Sequence, residues 1–249
     1  MVMYMYRKRQ REASTPQGGR SKIRKLNVPQ QYMQTRRTER KRKYYGLAPL
    51  TIRSDSVYLY NPLYYLVTGG SRDQRIGTKV QKPFLHYSMA LTPTALNAIG
   101  DPIDQGVAVR IVVFTHNKEW YSGAEGAWAI NTGGTGTPIT NADILKDTGS
   151  DRLVASFLNV DEIRVLHDRV HVLQRDSGGA VPAATDANGP HKNVKGSVKL
   201  PDHRFNDGTN AFGRDDNIYV AVMGTTSSGV TVPDCARIAT NLLITYDDA

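Results

Sequence analysis

The sequence predicts an all-β fold, on three observations. Runs rich in Val, Ile, Leu, Tyr and Thr recur along the chain, separated by clusters of Gly, Pro, Asn and Asp. Two of these runs alternate with a period of two, and no run supports a helix of three turns or more. The chain has 249 residues and no internal repeat, which suits one large domain. About eight strands joined by long loops point to an antiparallel sandwich. A single cysteine, Cys235, excludes the Cys…Trp…Cys frame of an immunoglobulin domain. The fold expected is therefore a single jelly roll, an eight-stranded antiparallel β-sandwich, preceded by a disordered basic N-terminal arm.

The elements follow in order. Asp55–Val67 is rich in Tyr, Val and Leu and broken by Pro62, as in an edge strand and its continuation. Residues 68–77 read as a loop. Thr78–Leu91 is extended, with Pro83 inside it. Gly106–Asn117 is the clearest strand: Val107, Val109, Ile111 and Val113 share one face, and Ala108, Arg110, Val112 and Phe114 the other. Both faces are apolar enough for a central position in a packed sheet. A long Gly/Thr loop follows and belongs on the surface. Asn141 offers an N-cap for one short helix. Asp161–Gln174 is a second strong strand, and its drifting alternation calls for a bulge near Leu166–Asp168. Residues 175–193 form another loop, and VKGSVKLP, NIYVAVMG and ARIATNLLITYDD supply the last strands.

Charge divides the chain. Residues 1–45 hold 14 Lys and Arg: Arg7, Lys8, Arg9, Arg11, Arg20, Lys22, Arg24, Lys25, Arg36, Arg37, Arg40, Lys41, Arg42 and Lys43. They hold two acids, Glu12 and Glu39, so the segment carries +12 and the other residues, 18 basic against 21 acidic, carry −3. Like charges at this density repel, and Pro16, Gly18, Gly19 and Pro29 interrupt any single helix. The boundary is placed at Tyr45–Pro49, giving an arm over 1–45 and a folded domain over 46–249. A basic arm neutralises phosphates and releases counterions. Tyr32, Tyr44 and Tyr45 are placed to stack on bases. The two clusters, RKRQR and RRTERKRK, also have the composition of a nuclear-import signal.

Other functions find less support. HDRVH (His167–His171) on a strand places its two histidines on one face but about 13 Å apart, too far to share one metal. RDSGG (Arg175–Gly179) has a protease-like sound without triad context, and the six histidines lie in no recognisable motif. The Gly-rich strings lack phosphate-loop spacing. No catalytic residue, metal site or cofactor is expected, and no turnover. No stretch approaches the length of a membrane helix, and no apolar segment follows the basic start as a secretory signal requires.

Four features in this order resemble a known family: the basic amino terminus; SRDQRIGTKVQ (Ser71–Gln81); VRIVVF (Val109–Phe114) before a variable loop; and SFLNVDEIRVLHDRVHVL (Ser156–Leu173), with Asn159, Arg164, Asp168 and Arg169. The chain resembles the capsid proteins of circular Rep-encoding single-stranded DNA viruses, the group that contains the circoviruses. Its arm mixes Gln, Thr, Ser and Gly with the basic residues, where circoviruses proper are more uniformly Arg-rich. The resemblance implies a subunit that self-assembles, in sixty copies (T=1), into a small icosahedral shell around circular single-stranded DNA. It also implies a stage in the host nucleus, hence host nuclear-import factors, and a host-cell receptor of unknown identity. Sixty arms would bring roughly 700 positive charges to the genome. Loops 68–77, 118–142 and 175–193 would then make contacts between subunits and the outer surface. Read from the residues alone, a monomeric nuclear or ribosomal nucleic-acid-binding β-domain with a basic tail stays open beside the coat protein.

Overall fold

The computed structural model describes residues 39–93, 107–149, 153–173, 191–206, 212–213, 216–226 and 234–248. Among them the strands are β1 (Arg40–Arg53), β2 (Val57–Tyr60), β3 (Lys79–Pro93), β4 (Val107–His116), β5 (Trp120–Tyr121), β6 (Ala129–Ile130) and β7 (Thr135–Gly136). One helical turn, α1 (Asn141–Ile144), precedes β8 (Arg164–Leu173), β9 (Lys192–Lys199), β10 (His203–Arg204), β11 (Asn217–Thr226) and β12 (Asp234–Asp248).

The strands build two five-stranded antiparallel sheets and a separate two-stranded one, β5-β7. In the first the order is β1-β12-β3, with both β9 and β10 paired to β3. In the second it is β6-β2-β11-β4-β8. The chain crosses from sheet to sheet at each connection between long strands except β4 to β8. Two Greek keys wound in this way are a jelly roll, as expected.

The alternation read in β4 is realised. Val107, Val109, Ile111 and Val113 enter the core between the sheets, with Leu85, Met89 and Leu91 of β3 and Ile238, Leu242 and Ile244 of β12. Val112 and Phe114 enter a second core on the far side of the second sheet. Residues 118–149 and 153–163 build that second core by laying Trp120, Ile139, Ile144, Leu153 and Ile163 over the sheet. The Gly/Thr loop is thus anchored by buried side chains. Trp120 Nε1 donates to Gly133 O at 2.6 Å, and Asn61 Nδ2 donates to Trp120 O at 3.2 Å. Gly136 has φ +101°, and a Cβ there would lie 2.1 Å from Glu119 O, so only glycine closes this turn.

Several local expectations need adjustment. β2 is not an edge strand, because the two-residue β6 pairs along its outer side. Thr140, not Asn141, caps α1, and its N–H donates to Asp143 Oδ2 at 2.6 Å. The bulge in β8 falls at Leu166, where the register with β4 slips between Val113 and Phe114. Pro83 is tolerated inside β3 because it too sits at a bulge, next to Lys82 with φ 46°. The boundary near Tyr45–Pro49 falls inside β1, whose first paired residue is Arg40.

Candidate nucleic-acid interface

The last four basic residues of the expected arm, Arg40–Lys43, lie in β1, and strand alternation splits them into two roles. Lys41 points inward and is 2% exposed. Its ammonium lies 3.1 Å from Asp248 Oδ2 and donates to Gln74 O at 2.6 Å. Asp248 in turn accepts the N–H groups of Ile76 and Gly77, at 2.6 and 3.3 Å. Lys41 is therefore a tie between β1, the end of β12 and the 68–77 loop. Lys43 lies 3.1 Å from Glu125 Oε1 and 3.4 Å from Asp73 Oδ2. Burial works against its charge, but these two carboxylates outweigh it and raise its pKa. Tyr45 is also inward and buried, edge-on to Tyr60 and Tyr65. Lys41, Lys43 and Tyr45 are thus structural, a correction to their reading as phosphate-binding or base-stacking groups.

Arg40, Arg42 and Tyr44 point outward. Tyr44 is 68% exposed. Arg40 sits 3.5 Å from Asp247, donates to Thr245 Oγ1 at 3.2 Å and places its guanidinium 5.9 Å from the centre of the Phe84 ring. Arg72 and Asp73 meet these three residues around one surface cleft.

Register carries this face across the sheet. One row runs Arg42, Thr245, Phe84, Lys199; the next Tyr44, Leu243, His86, Ser197; the next Gly46, Asn241, Ser88, Lys195. Lys195 and Lys199 are exposed, as is Arg237 further along β12. Phe84 and His86 are half-buried, with ring centres 6.3 Å apart and planes 16° from parallel. Asp247 is the acid in line with Arg40, and the three rows above hold none. Whereas residues 118–149 and 153–163 cover the second sheet, this outer face of the first sheet is open among the described residues.

Sequence reasoning missed Lys195, Lys199, Arg237, Phe84 and His86. The signal was present in KNVKGSVK, where Val194 and Val198 alternate with Lys195 and Lys199. It was present too in PFLHY, where Phe84 and His86 share a parity. The remaining predicted binding residues, Arg7, Lys8, Arg9, Arg11, Arg20, Lys22, Arg24, Lys25, Arg36 and Arg37, lie outside the described residues, as does Tyr32.

The other charged positions of interest are held by neighbouring groups. Arg75 is 1% exposed, donates to Leu66 O and Gly77 O at 2.9 and 2.6 Å, and lies 4.0 Å from the Phe205 ring centre. Asp168 is held bidentately by Arg110, with both bonds at 2.7 Å. His167 Nε2 lies 2.9 Å from the Tyr87 hydroxyl. Among the described residues no group of three or more His, Cys, Asp or Glu is arranged to hold a metal ion.

No family model matches the chain, and no curated protein matches it. Among solved structures, a chain titled Desmodium yellow mottle tymovirus aligns over 99% of this chain and 96% of that one, at 11% identity and a TM-score of 0.33. A likeness that slight carries no argument about this protein.

Proposed function

We propose that the chain is a viral coat subunit, one that assembles into a closed icosahedral shell and packages circular single-stranded DNA through its basic arm. The observation that carries the reading is a combination: a jelly roll continuous in sequence with a segment of net charge +12. Jelly rolls recur in viral shells, although lectins and cupins share the architecture. The resemblance of the four sequence features to capsids of circular Rep-encoding viruses selects among these. Concentrating cations in one segment suits a shell whose interior meets polyanion and whose exterior does not. The finer claims are that sixty copies close the shell, that the arm doubles as a nuclear-import signal, and that assembly takes place in the host nucleus. The role is structural, without catalytic turnover.

Purification of the full-length protein and sedimentation at physiological salt test this. The expected result is a fast-sedimenting species containing nuclease-protected nucleic acid. A single species of about the 27.5 kDa chain mass, at every protein concentration tried, would count against it.

A further inference from the structure

We propose that the outer face of the first sheet is a second nucleic-acid site, selective for single strands. Bases stack on Tyr44, Phe84 and His86 there, while Arg42 and Lys199 hold phosphates. The proposal rests on the coat-protein reading and adds to it. The cations of the arm meet phosphates, which a single strand and a duplex both present. Aromatic faces tell the two apart, because only an unpaired base has a free π-face to offer.

Three features of the face support the assignment. First, the rings are accessible without being part of either core: Tyr44 is 68% exposed on an edge strand, and Phe84 and His86 lie two residues apart on β3, their planes nearly parallel. Second, cations flank the rings on both sides, Arg40, Arg42 and Arg72 at the β1 side and Lys195 and Lys199 on β9. Adjacent strands are about 4.8 Å apart, so β1 to β9 spans roughly 14 Å. A strand of nucleic acid crossing the sheet would meet charge, rings and charge in turn. Third, the acid in line with Arg40, Asp247, is already paired with it.

Charge also selects the occupant. Residues 1–38 carry ten basic residues against one acid, the same sign of charge as this face, and so do not complement it. The same face of a second copy does not complement it either. A flexible polyanion with exposed aromatic bases complements it in both sign and surface.

The test uses the full chain. Bound to a thirty-nucleotide oligo-dT and irradiated with ultraviolet light, the protein should yield cross-linked peptides containing Tyr44 and the Phe84–His86 stretch. At about 0.5 M salt, where phosphate contacts weaken, Y44A combined with H86A should lose about tenfold or more in affinity for oligo-dT. Affinity for a duplex of the same length should change less than twofold. K195Q combined with K199Q, at two exposed positions that leave the rings untouched, should weaken both ligands. Cross-links confined to residues 1–38, with all variants binding like the wild type, would overturn the site and leave the coat-protein reading standing. Variants that change self-association but not affinity for DNA would overturn it too, marking the face as a contact between copies. A wild-type chain that binds neither DNA would overturn both readings together.

Discussion

Lys41 and Arg42 are adjacent, identical in charge and opposite in role. Lys41 faces the buried carboxylate of Asp248, and Arg42 faces solvent over Thr245 and Phe84. Removing Lys41 leaves a nearly buried carboxylate without its counter-charge, a change that costs about 3 kcal/mol. K41M should therefore lower the urea midpoint markedly while leaving oligo-dT affinity within about twofold. R42A should do the reverse, since an exposed arginine contributes little to stability. Measuring both properties on both variants separates the two roles. Arg110 makes a similar case inside the second sheet. Besides Asp168 it donates to Val154 O and Ser156 O, at 3.1 and 2.5 Å, and so pins the 153–163 segment to β4. R110M leaves the carbonyls of Val154 and Ser156 without a donor while the exposed Asp168 carboxylate turns to water, and a loss of about 1–3 kcal/mol in denaturant unfolding is expected. No count of charge by region could have found these roles. The sequence says that Lys41 is basic, and only the register of β1 against β12 says what it meets.

At the scale of elements, β4 was the most legible strand because both of its faces are apolar, and it lies between β11 and β8 with both faces buried. β1 was the least legible. RKRKYYG reads as a charged tail by composition, since an edge strand that buries only alternate residues leaves its other positions free to be basic. The same alternation hid the open face: Lys195 and Lys199 on β9 look like scattered charges until Val194 and Val198 are seen to face inward. β9 also has a steric requirement. A Cβ on Gly196 would lie 2.2 Å from the Tyr87 ring, which is buried and bonded to His167. G196A overpacks this point, and a cost of about 1–3 kcal/mol is expected. For a chain of this size that corresponds to a fall in Tm of roughly 2–12 °C, read by thermal unfolding of the unassembled protein.

For the whole molecule, the sandwich was legible from period-two runs and the missing helices, and the jelly-roll order followed from the rarity of alternatives. The second core was not, because Trp120, Ile139 and Ile144 are isolated apolar residues in a Gly/Thr-rich stretch with no period to reveal them. Three histidines, the buried His116 and the half-buried His167 and His171, tie stability to pH. Burial lowers the pKa of each, with Arg169 adding to the effect at His167, and Lys192 and Arg169 at His171. His116 Nδ1 also accepts the Lys118 N–H at 2.9 Å, which requires that nitrogen unprotonated. Their unfolded pKa is about 6.5. Above it the folded state keeps their full contribution; as pH falls below it the unfolded chain takes up protons first, and stability is lost through the lower folded pKa values. Urea midpoints should thus fall steadily from pH 7 to pH 5, and H116Q together with H167Q should flatten that slope.

Negative-stain electron microscopy of the purified full-length protein tests the central claim most directly. Uniform closed particles, in salt near physiological strength, are the predicted result. Small dispersed molecules across a range of salt, and with single-stranded DNA added, would contradict the coat-protein account and leave a monomeric nucleic-acid-binding β-domain in its place.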